Sequence, residues 1–459
     1  MERGPYALGI NAFVFFFSFF GLFIRALYKN GKYTSSDLAW IIPITLILIS
    51  FAIYDNPFLK MVSIPILPAV FVLCYSNALL ADKKGTYWNY GFIIKIIIRA
   101  VSVFGEMVNS AKAYVVLIIP ASQTNKRIIV RIGAGVILFF VSALIIFIPL
   151  LSSADAVFSQ KAQVITEWFE RIFSIPLVYR SIVFVILSVV LFSLFAAWSK
   201  PLDFIDKEGN NKQFDSIIVG ILLGGILCVY IFFLWIQFNH LWVGVLPFNF
   251  KETEQLVKSG FWQLLTLSII NIFMYFLVYR KTVPLVQKLL FAFTIVSLLL
   301  LASAGQRMGL YVAYYGFSYE KFFASYAVLY CAILFIWLIT QLFRSKRTNI
   351  IKFLIMLFLW MFAVLTVFPV EQFIFRTNIA LHNLRDSRII LNEMKMLSPD
   401  VLMLVKKNKE KGLLDGEGYD WNEWIREQEN MLAKKAWYER NAMNVFSQLS
   451  KQGKQRKRP

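Results

Sequence analysis

Four ionisable residues next to the ends of long apolar runs, Asp155, Glu252, Arg307 and Glu320, are the strongest candidates for chemistry in this chain. Asn239, His240, Tyr311 and Tyr314 occupy similar positions and add hydrogen-bonding groups. Ionisable groups are expensive to hold near a bilayer, so where they persist they are the first pointers to a ligand path. Brought together, these eight side chains would line one outward-facing polar vestibule. The competing explanation is generic: aromatic belts and interfacial charges put the same residue types at span ends in any membrane protein. Arg307 directly follows the charge-free run Leu289 to Gln306, and Glu320 comes after it across a Tyr-rich turn, a spacing suited to an Arg to carboxylate clamp of the loop. Such a clamp reads first as a structural salt bridge and only second as a ligand contact. His240, within Asn-His-Leu-Trp, has the chemistry of a general base, although a lone His beside a Trp is more commonly just interfacial.

The motifs that would mark stronger chemistry are missing. The sequence contains no G-x-x-x-x-G-K-[ST] and no G-x-S-x-G, so an ATP-driven pump and a serine hydrolase lack their signatures. With only His240 and His382, and with Cys74, Cys228 and Cys331 each inside an apolar run, neither a metal site nor a disulfide framework is expected. No cofactor is expected and no catalytic residue is assigned; Asp155 and Glu320 are the only sensible outward carboxylate pair for a transferase.

What must position these residues is set by composition. Apolar residues make up 58% of the 459, charged ones only 16%, and mean hydropathy is +0.63. A soluble fold, disorder and nucleic-acid binding are poor matches to such a chain. A bilayer core about 30 Å thick takes around 20 apolar residues as helix. Ten charge-free runs meet that: Tyr6 to Ile24, Leu38 to Tyr54, Met61 to Ala81, Ile132 to Ala154, Ser181 to Ser199, Ser216 to Phe238, Ser259 to Tyr279, Leu289 to Gln306, Phe322 to Phe343 and Phe353 to Val370. Without the alternation of barrel strands they read as helices. The first is too long and uncharged for a cleavable signal peptide. Inside the spans, Asn11, Asn77, Gln237, Gln263 and Asn271 read as interhelical hydrogen-bonding glue. The spans do not divide into two similar halves with matching broken helices, as many secondary transporters do.

Residues 92–119 differ. Lys95, Arg99, Ser102, Glu106 and Asn109 fall on one helical face and Phe92, Ile94, Ile97, Val101 and Val108 take the rest, the pattern of a helix lying in the interface. The alternative is an eleventh span with a buried ion pair, which would reverse every later segment. With ten spans, the connecting segments place 21 Lys and Arg on one side and 9 on the other; by the positive-inside rule the richer side is cytoplasmic and both termini lie outside. The net charge of +20 is therefore mostly a topology signal. The 17 basic residues after Val370 favour the opposite side, but long soluble segments translocate largely regardless of charge.

The organisation expected is all-α: an N-terminal three-helix membrane segment (1–91), the amphipathic segment on the cytoplasmic side (92–131), a seven-helix core (132–370) and a small soluble helical module with a basic tail (371–459). In the module, Ser398, Pro399 and Asp400 have the form of an N-cap, a first helical proline and a first-turn acid. A second helix is expected after Gly418, with Trp421, Trp424, Ile425, Met431, Leu432 and Phe446 on one face. Lys451, Lys454, Arg456, Lys457 and Arg458 close the chain as a solvated tail or a contact for anionic lipid.

Several polar segments carry a family likeness: Lys258-Ser-Gly-Phe-Trp-Gln-Leu-Leu, Ala304-Gly-Gln-Arg-Met-Gly-Leu-Tyr, Tyr314-Tyr-Gly-Phe-Ser-Tyr-Glu-Lys, Arg376-Thr-Asn-Ile, Leu397-Ser-Pro-Asp-Val and, earlier, Pro149-Leu-Leu-Ser-Ser-Ala-Asp-Ala-Val-Phe. In that order, from about Arg127 to the tail, the chain resembles the bacterial polytopic membrane proteins known as domain of unknown function 4173, with its relative 4153. Where that family often has a tyrosine and an acid before the Gly-Phe pair, this chain has Lys251-Glu-Thr-Glu-Gln-Leu-Val. The resemblance implies a bacterial cytoplasmic membrane and no established activity. The expected function is a non-enzymatic multi-pass scaffold or sensor. Its partners are the bilayer and, through the C-terminal module, an anionic lipid or an envelope protein, with no nucleic acid. The alternatives are a transporter or lipid-handling protein using the vestibule, and an integral envelope transferase.

Overall fold

The computed structural model describes residues 8–29, 38–79, 90–118, 176–199, 215–240, 250–279, 281–344, 349–382, 389, 391–414 and 420–447. All regular structure among them is helical. The chain divides by its contacts into two units, residues 89–207 and the remainder. In the smaller unit, α4 (Tyr90–Ile118) and α5 (Pro176–Ser199) pack against each other. The amphipathic segment is thus one unbroken 29-residue helix. Of its polar stripe, Glu106 accepts a hydrogen bond from Asn109 Nδ2 at 3.2 Å, and the side chains of Lys95 and Arg99 lie outside the described residues.

The larger unit contains α1 (Ile10–Lys29), α2 (Leu38–Ile53), α3 (Pro57–Leu79), α6 (Ser216–His240), α7 (Phe250–Val278), α8 (Pro284–Tyr315), α9 (Tyr319–Phe343), α10 (Ile350–Val367), α11 (Val370–His382), α12 (Leu402–Glu410) and α13 (Trp421–Ala433). Six helices, α3 and α6 to α10, are long and apolar enough to cross a membrane, and α1, α2 and α5 contain shorter apolar stretches. These nine coincide with nine of the ten expected spans; the tenth, Ile132 to Ala154, lies outside the described residues. Large apolar side chains face outward along the helices, Ile217, Ile221 and Phe232 of α6 among them, as lipid contact requires.

Two packed groups make up this unit. In one, α8 is the hub against α6, α7 and α9; in the other, α1, α3 and α10 pack on α2. Asn271 supplies the interhelical glue expected of it. Its Oδ1 accepts from Tyr230 of α6 at 2.8 Å and its Nδ2 donates to Ser297 of α8 at 3.0 Å, which satisfies a buried amide where water is absent. Asn11 Oδ1 accepts locally from the backbone N–H groups of Gly9 and Ala12, both at 2.8 Å.

Helix ends follow local chemistry. Asn56 caps α3 through Oδ1 to the Leu59 N–H, with Pro57 next in line. The span expected to stop at Gln306 continues to Tyr315: α8 has 32 residues, about 48 Å. Its stop is Gly316, at φ 68°, whose N–H returns to Val312 O. Hydropathy ends a run at the first charge, but Gln and Arg are good helix formers and the backbone continues through them. The link to α9 is then only Gly316 to Ser318, where Asn378 of α11 pairs with both the N–H and the C=O of Phe317.

The C-terminal module begins with α11, an element hydropathy did not reveal. Ser398 caps as expected, but Pro399–Val401 is a 3-10 turn that leads into α12. Helix α13 starts on an Asp420 cap and ends at Ala433. Phe446, expected on its apolar face, sits on a later helical segment, residues 442–447, and is exposed.

Candidate functional site

The densest polar constellation among the described residues centres on a residue in the three-residue break between α2 and α3. Asp55 is fully buried. Its Oδ1 accepts from Lys60 Nζ at 2.9 Å, while its Oδ2 pairs with Lys435 Nζ and accepts from Asn444 Nδ2 at 3.0 Å. The backbone N–H of Asp55 donates to Asp400 Oδ2 at 2.6 Å. Lys60 Nζ also reaches Leu8 O just before α1, and Lys435 Nζ donates to Asn444 Oδ1 at 3.2 Å. A second carboxylate, Glu371 at the start of α11, accepts from the Ser398 N–H at 3.0 Å and from the hydroxyls of Ser398 and Tyr319. The cluster therefore ties the starts of α1, α9 and α11 and the α2–α3 break to the C-terminal module.

Short polar breaks and helix ends create this geometry. Pro57 and the Asn56 cap hold the α2–α3 turn so that Asp55 faces the module. Gly9 lets the chain before α1 run against it: a β-carbon there would overlap the backbone of Glu439 and Arg440, and Ile10 N–H donates to Arg440 O at 3.1 Å. Asp400, expected as a first-turn acid, is also a buried partner of Asp55.

Electrostatically, the cluster sets three carboxyl groups against two ammonium groups. Burial first, then the proximity of Glu371 and Asp55, pushes the Asp400 carboxyl well above the usual carboxylate range. Burial, opposed by hydrogen bonds from Ser398 and Tyr319, pushes Glu371 up to about 7. Burial draws Lys435 downward, opposed by its pairing with Asp55. Burial thus favours the neutral carboxyl form at both Glu371 and Asp400, which reduces the charge held out of water. Asp400 Oδ1 and Asn56 Nδ2 are buried without hydrogen-bond partners; both residues line one small cleft of about 10 Å³, the size of about one water molecule.

The residues selected from the sequence fall elsewhere. Tyr311 and Glu320 do meet, lining a cleft of about 30 Å³ between α7, α8 and α9 together with Trp262, Met308 and Lys321. Arg307 lies one turn before Tyr311 on the same face of α8, with its guanidinium laid over Gly260. No ion pair joins Arg307 to Glu320, so the expected clamp is not formed; the helix extension separates them by two more turns, and Glu320 points to solvent in the first turn of α9. Tyr314 is half-buried near the end of α8. Asn239 and His240 end α6 and Glu252 lies in the first turn of α7, with side chains outside the described residues; Asp155 falls outside them altogether. Among the described residues no group of three His, Cys, Asp or Glu has the arrangement of a metal site.

Apolar spans around small internal polar networks, with a helical module folded back on their ends, define a multi-pass α-helical membrane protein. Residues 41–405 match the family model described as Domain of unknown function (DUF4153), and the chain belongs to that family. This bears out the resemblance drawn from the sequence in part: the relative named second is the family that matches, and the relation to 4173 is not shown. The match spans Asp55, Lys60, Arg307, Glu371 and Asp400 and stops before Lys435 and Asn444. No curated protein and no solved structure matches the chain.

Proposed function

We propose that this protein is a non-enzymatic scaffold or sensor of the bacterial cytoplasmic membrane, whose C-terminal module is held on the extracytoplasmic ends of the spans and presented there to an envelope partner. One observation carries this: Asp55 is buried between a lysine of the bundle and a lysine of the module. Buried charge clusters add little net stability compared with apolar packing, but they punish any other arrangement severely. They suit a protein that must hold one part in one place. The module contacts the start of α1, the α2–α3 break and the α8–α9 turn, segments on the side with fewer basic residues, which supports an outward module.

The test has two arms in intact cells. A cysteine replacing Met396, which is 75% exposed on the module, should react with a membrane-impermeant thiol reagent; protection would reverse the orientation. A photo-crosslinking residue at Trp437, 74% exposed, should give a discrete adduct with an envelope protein that disappears in Asp55→Asn. Adducts with lipid alone, or an unchanged pattern in that variant, would refute the scaffold role.

A further inference from the structure

Beside the cleft between α7, α8 and α9, next to its lining residue Met308, stands a cation that no group among the described residues answers. Lys321 is committed: its Nζ donates to Tyr315 O at 3.2 Å and Gly316 O at 2.9 Å, and it stands 4.5 Å from the centroid of the Tyr311 ring. Those bonds place its charge on the C-terminal carbonyls of α8, where a helix favours a cation. Arg307 is not committed. It has no hydrogen-bond or ion-pair partner among the described residues, and its Nε is buried. Gly260 makes the position attainable, since a β-carbon there would overlap Arg307 Nη1. A buried donor without an acceptor costs free energy that an arriving oxyanion would recover.

The surroundings limit what that oxyanion belongs to. Trp262, half-exposed, and Met308 form an apolar wall on spans whose outer surfaces meet lipid. Helix α8 runs about 12 Å past Arg307 and is about 18 Å longer than a bilayer core requires, which sets the guanidinium near headgroup depth. A planar guanidinium pairs with two oxygens of a phosphate in a way a lysine does not. Glu320 on the rim opposes an anion, but it is exposed and therefore screened. We propose that Arg307 binds the phosphate of an anionic membrane lipid, with Trp262 and Met308 against the apolar part of that lipid.

The full-length protein in detergent, titrated separately with dioleoylphosphatidylglycerol, dioleoylphosphatidylcholine and inorganic phosphate, tests this when bound molecules are counted by native mass spectrometry. The wild type should retain phosphatidylglycerol in preference to phosphatidylcholine, and Arg307→Gln should weaken retention about tenfold or more. Gly260→Ala leaves the charge in place but displaces the guanidinium, and it should weaken retention as well; it keeps the test decisive should Arg307→Gln fold poorly. Equal retention by wild type and both variants would overturn the site. Arg307-dependent binding of inorganic phosphate without retention of the lipid would overturn the assignment to lipid.

Discussion

At Asp55, two ammonium groups and an amide converge on one buried carboxylate; at Arg307, a guanidinium is pressed against a glycine and meets no acceptor among the described residues. Both are charges taken out of water, yet they differ in completeness. Around Asp55 the partners come from the bundle and the module, so burial fixes architecture. At Arg307, beside a cleft, none of the described residues fills the acceptor position, so burial prepares an encounter. Burial alone therefore does not distinguish structure from function in a membrane protein; the balance of donors and acceptors does.

Breaking the complete side should give the largest effect. Asp55→Asn leaves Lys60 and Lys435 buried without their counter-charge, and the module's unfolding free energy should fall by about 3–5 kcal/mol, seen as rapid proteolysis of the C-terminal module while the spans stay intact. Unchanged protection would mean that the cluster does not hold the module. A smaller effect should come from pH. Glu371 is raised from 4.5 to about 7 by burial, so its contribution is fully present below about pH 4.5, declines as the unfolded chain loses the proton first, and is lost once the folded group ionises near pH 7. The thermal midpoint should fall across that window, and Glu371→Gln should flatten the slope; a midpoint rising with pH would contradict the raised Glu371 carboxyl.

The incomplete side should respond with the opposite sign. Arg307→Met removes an unanswered donor, so in lipid-free detergent the thermal midpoint should stay level or rise, by the equivalent of about 1–3 kcal/mol at most. Marked destabilisation would show that Arg307 has a structural partner after all. The least effect is expected at the half-exposed pair of Lys406 with Glu429, 26% exposed on each side. Lys406→Ala should cost under about 1 kcal/mol by chemical denaturation, a baseline for the other three.

The spans were legible because a bilayer demands long apolar runs in contiguous sequence, and Asn271 was legible because an amide inside such a run has few other uses. The cluster was not. Lys60 reads as a topology charge, Asp400 as a helix-start acid, Glu371 as the first polar residue after a span, and Lys435 as one of many tail lysines; each has an adequate local explanation. Only the fold brings them together. The available hint was the break Tyr54-Asp-Asn-Pro, too short for a loop that needs solubilising charge, with an acid in its middle. Arg307 stood out in the sequence because the apolar run ends there, but the helix does not.

Lys435 follows Asp55 by 380 residues. At about 5–20 residues per second, a ribosome needs roughly 20–75 seconds to cover that distance. Throughout that interval Asp55 has only Lys60 beside it, and its second ammonium does not yet exist. The finished bundle therefore records the order of its own synthesis: a carboxylate laid down just after the second helix waits for a lysine 380 residues later, and a chain stopped before that lysine leaves the acid half-paired.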